Sequence, residues 1–478
     1  MKTPSWLFST LISSFLLLIT PVLTQASLSN DINKALSAKC LDPNQTAIYV
    51  RHLATGNTVY EKNSHKSLLP ASTLKLVTTL NALNYLGYDY RFKTYFFHTG
   101  QRHNGVITGD LYIKGGGDPK LTPEKIWYIA QQLRGQGITR IKGNLIADNH
   151  FFDRLEKAPS WRDKRSQRSY DAKIGALSVN FNSIAINVQP AENSQGKARV
   201  WLYPESNYFD LRNTTKSPRK GKNTLVISRG SKGEHPLLKV SGAIPRNSGA
   251  RTYYRNVDDP LPFAAHVFHH TLQRAGIKIE GQLAYQSTPP NAELLYTHQS
   301  EALISILREL LAYSSNFIAE QVLKTMAAEV TQLTGTHELG LQLERRFLRE
   351  LGVDLTGVRL MDGSGLSREN RFTAHAMIEL LTQVQRRFDL YPDFLGVLKP
   401  LGQYQKSRRL RHKEANGFVR AKTGSLNKVS TLAGYIGNTQ GDVFAYSFFL
   451  NNNKCGYYLA DKVEDKILNI LHTTPYYH

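Results

Sequence analysis

The sequence predicts a mixed α/β (α+β) fold, in which helices surround an antiparallel sheet and an α/β domain with a small nested β domain is inserted. Three observations favour this fold. Strand patterns occur near both ends of the 478-residue chain, helical patterns dominate after residue 301, and a helix-then-strand unit repeats between them. A chain of this length is longer than a domain with a single hydrophobic core usually is, so two or three domains are expected.

The two ends of the chain carry the strand patterns of the predicted antiparallel sheet. Residues 46–53, TAIYVRHL, alternate as a strand does, and NTVYEKN follows a turn at Gly56, which predicts a hairpin. Near the C-terminus, STLAGYIGN and DVFAYSFFLNN predict two further strands, and a last helix is expected over about residues 459–471. We therefore expect residues 27–92 and 292–478 to form one domain with a shared sheet.

The middle of the chain contains an internal repeat. The motif Ile-x-Gly-x-Leu begins at Ile107, Ile141 and Ile279. Before the second and third copies, helices are predicted to begin near Pro123 and Pro260 and to end in GQGI and RAGI. We interpret this pattern as a helix-then-strand repeat, which is typical of an α/β domain.

The repeat sets the limits of the predicted insertion. Residues 93–187 and 247–291 are assigned to the inserted α/β domain. Residues 188–246 between them are strand-like, contain prolines and include the basic run NTTKSPRKGKN, which predicts a nested β-rich subdomain. The basic run is itself typical of a solvated loop.

Composition and the N-terminus indicate compartment and partner. A hydrophobic content of 41% fits a globular protein rather than a membrane bundle or a disordered chain, and the net charge of +22 predicts a polyanionic neighbour. Lys2, the apolar run from Trp6 to Ile19, and small residues at Thr24 and Ala26 are typical of a signal peptide, residues 1–26. A retained anchor is the alternative. We expect secretion across the inner membrane and a periplasmic or cell-wall location, with wall polymer and anionic surfaces as partners rather than nucleic acid.

Ser72 and Lys75 form the candidate nucleophile and base. The chain has four Ser-x-x-Lys matches, and only this one opens an apolar helix, LLPASTLKLVTT. A serine hydroxyl is a poor nucleophile unless a base takes its proton, and a lysine is a base only when burial or another cation destabilises its ammonium group. For the pair alone, the alternative is a lysine that extends to solvent from a half-exposed helix.

Two further motifs supply polar groups for the same chemistry. Ser314-Ser315-Asn316 falls in a break between two predicted helices, where Ser314 can relay a proton and Asn316 can orient an amide. Lys422-Thr423-Gly424 begins a predicted strand, whose lysine and hydroxyl can hold a carboxylate while the glycine permits close approach of a substrate backbone.

In this order, Ser-x-x-Lys, Ser-x-Asn and Lys-Thr-Gly are the signature of penicillin-binding proteins and serine β-lactamases. The long insertion between the first two motifs and the segment MDGSGLSREN (residues 361–370) narrow the match. The chain resembles the penicillin-binding protein 4 type, the low-molecular-mass class C D-alanyl-D-alanine carboxypeptidases and endopeptidases. Ser315 stands where many relatives carry Asp, and the stretch YQKSRRLRHKEANG before the third motif is unusually basic.

The resemblance implies a transpeptidase-like DD-peptidase domain that cleaves the bond between the last two D-alanines of peptidoglycan stem peptides through an acyl-enzyme. It implies no metal or cofactor, covalent inhibition by β-lactams, and no particular oligomeric state. The implied roles are nucleophile for Ser72, general base for Lys75, proton return from Ser314 held by Lys75 and Lys422, backbone N–H groups of Ser72 and Ser425 as oxyanion hole, carboxylate binding by Lys422 and Thr423, and amide binding by Asn316.

Two other classes of function stay open. A β-lactamase-like hydrolase would use the same residues, although an insertion of roughly 200 residues has no obvious use on a small antibiotic. A non-catalytic peptidoglycan-binding protein would keep only the fold, and the intact Ser72, Lys75 and Lys422 argue against it. His266 and His270 lie one turn apart, but a zinc pair needs further ligands, so a packing role is favoured.

The chain has two cysteines, Cys40 just before the first predicted strand and Cys455 just after the last one. If these strands are antiparallel neighbours, the two cysteines lie close together. The exported compartment is oxidising, so we hypothesise a Cys40–Cys455 disulfide. The alternative is two unpaired thiols.

Overall fold

The structure, a computed structural model, describes residues 27–161, 167–193, 196–232, 235–403 and 409–476. The predicted signal peptide, residues 1–26, lies outside the described residues. Within the described ranges, no helix has the length and apolar character that crossing a membrane requires.

The first segment of the chain builds one edge of the terminal domain. Strands β1 and β2 pair as the antiparallel hairpin that the alternation predicts. The helix after them is buried on all sides over its first nine residues, Lys75–Leu83, as expected for a helix in the middle of a core. The elements are α1 (27–36), β1 (Thr46–His52), β2 (Thr58–Lys62), a 3-10 turn (Ala71–Leu74) and α2 (Lys75–Leu86).

The insertion begins directly after α2. Helix α3 begins with a proline at its first position and an acidic residue in its first turn, both of which favour helix starts. The elements are β3 (Lys93–His98), β4 (Arg102–His103), β5 (Val106–Ile107), β6 (Leu111–Gly115), α3 (Pro123–Gly135), β7 (Arg140–Ile141) and β8 (Leu145–Asp148).

Two three-stranded sheets form the nested β region. Its strands are β9 (Ser183–Gln189), β10 (Arg199–Tyr203), β11 (Asp210–Lys216), β12 (Val226–Lys232), β13 (His235–Ala243) and β14 (Arg251–Asn256). The first sheet has the order β10-β9-β14, so the nested region spans 183–256 and is wider than the predicted 188–246. Composition had marked only its basic, proline-containing part.

The insertion then returns to its own sheets. The elements are α4 (Pro260–Arg274), β15 (Lys278–Ile279), β16 (Leu283–Tyr285) and β17 (Glu293–Gln299). Strand β17 pairs antiparallel with β3, so residues 293–299 belong to the inserted domain. The predicted boundary at 291 had assigned them to the terminal domain. Strand pairing, which composition does not reveal, decides this limit.

The Ile-x-Gly-x-Leu repeat is a structural repeat. Ile141 pairs in parallel with Ile107 and Ile279 in a four-stranded sheet, and the leucines four positions later pair in the same way in a five-stranded sheet. Each copy therefore crosses from one sheet to the other at its glycine.

The glycines of the repeat stack against one another at this crossing. The Gly143 N–H donates to the carbonyl of Gly109 at 3.0 Å, and the Gly281 N–H donates to the carbonyl of Gly143 at 3.0 Å. A Cβ on Gly143 would lie 2.5 Å from the Gly109 carbonyl oxygen. The repeat therefore requires glycine for close backbone approach, and not for an unusual φ.

The last segment completes the terminal domain. Its elements are α5 (Leu303–Tyr313), α6 (Asn316–Thr331), α7 (His337–Glu350), α8 (Ala374–Gln385), α9 (Tyr391–Val397), β18 (Lys399–Pro400), β19 (Val419–Leu426), β20 (Val429–Gly437), β21 (Val443–Leu450) and α10 (Gly456–Thr473). The four strands of this segment join β1 and β2 in a six-stranded antiparallel sheet with the order β18-β19-β20-β21-β1-β2. The two chain ends therefore share one sheet, as expected.

Both faces of this sheet are covered by helices. Ala47 and Tyr49 of β1 pack with α2 and α5–α9, whereas Ile48 and Val50 pack with α1 and α10. Alternate residues of one strand point to opposite faces, so a strand buried on both faces reads as a nearly continuous apolar run. The sheet is thus the middle layer of the domain, and α2 lies in its larger core.

A disulfide joins Cys40 to Cys455 across 415 positions of sequence. The antiparallel pairing of β1 with β21 brings the two cysteines together, and the Lys454 N–H donates to the Cys40 carbonyl at 2.7 Å. The bond ties α1 and α10 to each other on one face of the sheet.

We expect the purified, denatured and unreduced protein to show no free thiol in a thiol titration. Reducing the bond should lower the free energy of unfolding by roughly 3–5 kcal/mol, because it releases a long closed loop in the unfolded chain. The Cys40→Ala/Cys455→Ala variant is the control and should match the reduced protein in a urea titration. Two titratable thiols in the unreduced protein would contradict the pairing.

Candidate active site

Ser72 and Lys75 lie one turn apart at the start of α2. Ser72 is in the 3-10 turn Ala71–Leu74, and Lys75 is the first residue of the helix. The Lys75 Nζ lies 3.0 Å from the Ser72 Oγ, and the lysine side chain is fully buried. The short spacing in sequence therefore becomes direct contact between the candidate base and the candidate nucleophile.

The Lys75 ammonium group is held by three oxygen atoms from separate parts of the chain. Besides the Ser72 Oγ, its Nζ donates to the Asn316 Oδ1 at 2.8 Å and to the Ser364 carbonyl at 2.6 Å. Asn316 begins α6, and Ser364 lies in the loop between α7 and α8. These contacts fix the position of Nζ beside the serine.

Burial changes the acidity of this lysine. It lowers the pKa of Lys75 to about 8, against the opposing effects of the Asp362 and Glu320 charges. A lysine with such a pKa is partly neutral near neutral pH, and only the neutral amine can accept the proton of Ser72.

Strand β19 passes directly against the 3-10 turn Ala71–Leu74, which carries Ser72 and is called the nucleophile turn below. A Cβ on Gly424 would lie 2.8 Å from the Ser72 backbone nitrogen and 2.2 Å from the Thr431 Oγ1. The Thr431 hydroxyl in turn donates to the Pro70 carbonyl at 2.8 Å, which joins the sheet to the residues before Ser72. The glycine of Lys-Thr-Gly is therefore required for this close approach, with the half-buried Thr423 and the exposed Ser425 on either side of it.

Lys422 is the second buried lysine of the site. Its side chain is 1% exposed, and burial lowers its pKa well below the usual value, with further contributions from the charges of Lys75 and Lys399. Two ammonium groups that share one buried site each make the protonated form of the other less stable. The third motif thus contributes a second buried lysine whose protonation depends on that of Lys75.

The Ser-x-Asn segment forms the turn between α5 and α6. Ser314 ends α5 with φ at 55°, and the Ser315 side chain caps α6 by accepting a bond from the Ile318 N–H at 3.2 Å. The Ser314 hydroxyl makes no hydrogen bond to Lys75 or Lys422. This differs from the expectation that both lysines hold it, because the Asn316 amide oxygen takes the place beside Lys75.

Asp362 organises the loop that carries Ser364, and sequence reasoning had assigned it no role. Its carboxylate accepts bonds from the Gly365 N–H at 2.7 Å, the Ser367 N–H at 2.6 Å and the Asn370 Nδ2 at 2.8 Å. Gly365 has φ at 77°, and a Cβ there would lie 1.9 Å from the Ala71 carbonyl oxygen. The loop is therefore pressed against the nucleophile turn. In the sequence, the run Asp-Gly-Ser-Gly counts only as part of MDGSGLSREN, the segment that narrows the family resemblance.

Glu320 supports the same loop from α6 and was also missed. It is fully buried and accepts bonds from the Ser364 N–H at 2.8 Å and the Gly363 N–H at 3.3 Å. Burial, with the Asp362 charge, raises the pKa of Glu320 to about 8. Its position one helical turn after Asn316 is the only distinguishing feature in the sequence, and the same helix also carries Gln321, Lys324 and Glu329, so Glu320 does not stand out.

The inserted domain reaches the site at three polar contacts. The Trp161 Nε1 donates to the Asp362 Oδ2 at 2.7 Å, and the Ser160 hydroxyl donates to the Met361 carbonyl at 3.2 Å. The Asn316 Nδ2 donates to the Tyr170 carbonyl at 3.1 Å. Ser160, Trp161 and Tyr170 thus border the loop that carries Ser364 and the Ser-x-Asn turn.

Comparison with known proteins agrees with this geometry. The sequence profile of the D-Ala-D-Ala carboxypeptidase 3 (S13) family matches residues 28–473. The chain belongs to that family. The resemblance and the fold class expected from the three motifs are therefore confirmed, and the protein is a serine-type carboxypeptidase by family.

Relatives of this family member match it over most of its length. The D-alanyl-D-alanine carboxypeptidase of Actinomadura sp. (strain R39) is 32% identical over 457 residues, which cover 91% of this chain and 84% of that protein. The D-alanyl-D-alanine carboxypeptidase DacB of Haemophilus influenzae is 24% identical over 467 residues, or 94% and 93% of the two chains. The crystal structure of penicillin binding protein 4 from Haemophilus influenzae superposes with a TM-score of 0.81 at 21% identity, and covers 92% of this chain and 99% of that one.

The two buried lysines predict a pH effect. Acylation by a labelled penicillin should rise with pH through the pKa of Lys75, about 8, because the base must be neutral. The charge of Lys75 lowers the pKa of Lys422, and this repulsion is mutual. Lys422→Ala removes it, so the pKa of Lys75 should rise. We expect slower acylation and a pH profile displaced to higher pH. Lys428→Ala, which removes an exposed cation after the same strand, is the control. An unchanged profile with weaker substrate binding would restrict Lys422 to carboxylate binding.

Proposed function

We propose that the protein is a D-alanyl-D-alanine carboxypeptidase and endopeptidase of peptidoglycan that acts through an acyl-enzyme on Ser72. The observation that carries this proposal is the contact between the Ser72 Oγ and the fully buried Lys75 Nζ. Neutral Lys75 accepts the serine proton while the Oγ attacks the carbonyl between the last two D-alanines. The backbone N–H groups of Ser72 and Ser425 stabilise the resulting oxyanion, and the closeness of Gly424 to the Ser72 nitrogen supports this role.

The second half of the reaction releases the amine. When the tetrahedral intermediate collapses, the C–N bond breaks and the leaving amine takes the proton that Lys75 accepted from Ser72. Water then attacks the ester, Lys75 accepts a proton from that water, and the freed Ser72 regains its own. In a cross-link, the leaving group is the amine of a neighbouring stem peptide, so the endopeptidase reaction is the same chemistry with a larger leaving group.

The third motif, Lys422-Thr423-Gly424, and Asn316 are the residues proposed to recognise the substrate. Lys422 and Thr423 are proposed to bind the terminal carboxylate, and Asn316 the backbone amide of the stem peptide. The burial of Lys422 supports this role, because a carboxylate beside it would restore the charge balance that desolvation disturbs. A β-lactam presents a carboxylate and a reactive amide in the same arrangement, so the same residues would accept it as a covalent inhibitor.

We expect that Ser72→Ala abolishes both the covalent penicillin adduct and the release of D-alanine, since Lys75 contacts this serine alone among the described serine side chains. Labelled penicillin measures the first activity, and purified cross-linked muropeptides measure the second together with cross-link cleavage. Ser217→Ala, which alters another Ser-x-x-Lys match, is the control and should keep the adduct. An adduct that forms on Ser72→Ala at the original rate would contradict the assignment.

The same assay separates the other classes of function. Rapid turnover of penicillin without a stable adduct would indicate a β-lactamase-like hydrolase. No adduct with the unaltered protein would indicate a non-catalytic wall-binding protein. The long insertion and its contacts with the catalytic loop favour the peptidase, because a small antibiotic does not need them.

We further propose that the protein acts outside the inner membrane, in the periplasm or at the cell wall. Residues 1–26, which lie outside the described residues, have the pattern of a signal peptide. The disulfide between Cys40 and Cys455 supports this location, because such bonds persist in oxidising compartments and are rare in the cytosol.

The nested β region carries a surface that suits peripheral contact with anionic surfaces. Its exposed cations make no ion pair with any described residue. They are Lys197, Arg199, Arg212, Lys216, Arg219, Lys220, Lys222, Lys239, Arg246 and Arg251. Like charges that remain unneutralised on one subdomain attract polyanions at low ionic strength.

We expect the protein to sediment with vesicles that contain anionic phospholipid and not with neutral vesicles, and to be released by high salt. Changing Lys216, Arg219, Lys220 and Lys222 to Gln should weaken this binding, at about 1 kcal/mol for each charge. Changing Lys34, Lys39, Lys66 and Lys142 to Gln removes the same net charge from other exposed positions and is the control. Equal losses in the two variants would contradict a specific role for the nested region.

A further inference from the structure

A cavity of about 530 Å³ opens on the insertion where α3, α4 and the end of β10 meet. It is separate in sequence from the three catalytic motifs, and no step of the reaction uses it. Its walls combine aromatic rings with charged groups. Those that matter are Trp127 and Glu124 of α3, Trp201 and Tyr203 of β10, Glu205 after that strand, and Arg274 of α4.

The aromatic rings around this cavity are unusually exposed. Trp127 is 45% exposed, Trp201 38% and Tyr203 39%. Trp201 and Tyr203 lie on the outer face of β10, whereas Val200 and Leu202 of the same strand pack against the core of the insertion. Core packing therefore does not explain the aromatic residues. Large apolar side chains that gather around one opening are typical of a ligand site.

Polar groups lie around the rings and provide both donors and acceptors. The Tyr203 hydroxyl donates to the Glu124 carboxylate, and an Arg274 N–H donates to the Glu205 carboxylate. The His270 Nε2 lies 3.6 Å from the Glu205 Oε2. These bonds orient the polar groups at the rim of the cavity. The Arg199 guanidinium lies over one face of the Trp201 ring, 5.5 Å from its centroid.

This combination restricts the chemistry of the ligand. A wholly apolar ligand would remove the charged rim from water without replacing its hydrogen bonds. An acidic peptide would meet the two glutamates, whose charge would repel its carboxylates. A pyranose ring, by contrast, has a C–H face that stacks on an aromatic ring and hydroxyl and acetamido groups that hydrogen-bond at its edge.

We infer that this cavity binds the glycan strand of peptidoglycan, with its N-acetylated sugar rings stacked on Trp127 and Trp201. The inference rests on the proposed function in that it takes peptidoglycan as the polymer on which the enzyme acts. The catalytic motifs bind the stem peptide, and the cavity binds the sugar chain to which such peptides are attached. Loss of the cavity should therefore weaken binding to insoluble peptidoglycan and leave the cleavage of short soluble peptides unchanged.

The test uses the full-length mature protein and purified glycan strands from which an amidase has removed the stem peptides. Sedimentation with these strands measures glycan binding without any contribution from the active site. Trp127→Ala/Trp201→Ala should weaken binding by about tenfold or more, because it removes both stacking surfaces. Tyr128→Ala is the matched control, since Tyr128 is the next residue on α3, is 54% exposed and does not line the cavity. Penicillin acylation and D-alanine release from a soluble pentapeptide should be unchanged in both variants.

Equal sedimentation of the double variant and the unaltered protein would overturn the inference. A second measurement does not depend on the folding of a variant: titration of the unaltered protein with the tetrasaccharide of N-acetylglucosamine should give a saturable change in tryptophan fluorescence. No saturable change there, or loss of soluble stem-peptide binding in the double variant with glycan binding retained, would also overturn it. Failure of the proposed function is distinguishable, because it would remove the penicillin adduct and D-alanine release from the unaltered protein whatever its binding to glycan.

Discussion

The burial of the Lys75 ammonium group beside Ser72, the proposed nucleophile, is the constraint on which the terminal domain depends. An ion taken out of water loses several kcal/mol of solvation unless other polar groups replace it. For Lys75, the replacement comes from Ser72, from Asn316 at the start of α6 and from the Ser364 carbonyl in a distant loop. Three separate segments must therefore be in place before the site exists. Burial still has the larger effect, since it lowers the pKa of Lys75 to about 8.

The same constraint explains why the surroundings of Lys75 are polar and joined by hydrogen bonds. A carbonyl group solvates an ammonium group only if it is held in place. Glu320 holds the Ser364 peptide from α6, and Asp362 holds the same loop from within. Gly365 and Gly424 bring the loop and the sheet against the nucleophile turn from two sides, where any side chain would collide with backbone. The apolar core around α2 thus encloses a small polar centre whose groups satisfy one another.

The sequence predicts the parts of the molecule that depend on short-range patterns. The pairs Ser72 with Lys75 and Lys422 with Gly424 are recognisable because their chemistry requires a fixed spacing. The repeat at Ile107, Ile141 and Ile279 is recognisable because each copy crosses between the same two sheets. The sequence does not predict Glu320, because nothing within α6 shows that a loop some forty residues later will lie beside it. The limit of the insertion at β17 is likewise set by β3, a partner distant in sequence.

The insertion is more than an added domain, because it emerges between the first two catalytic motifs and takes part in the site they form. Trp161 supplies a further donor to Asp362, whose other donors all come from its own loop. The negative charge of Asp362 raises the pKa of Lys75 and opposes the effect of burial. A shift of the segment around Trp161 would therefore disturb the carboxylate that helps to set the protonation of the base. The insertion and the terminal domain are in this way connected by hydrogen bonds at Asp362, at Met361 and at Asn316, all of which border Lys75 or the loop that contacts it.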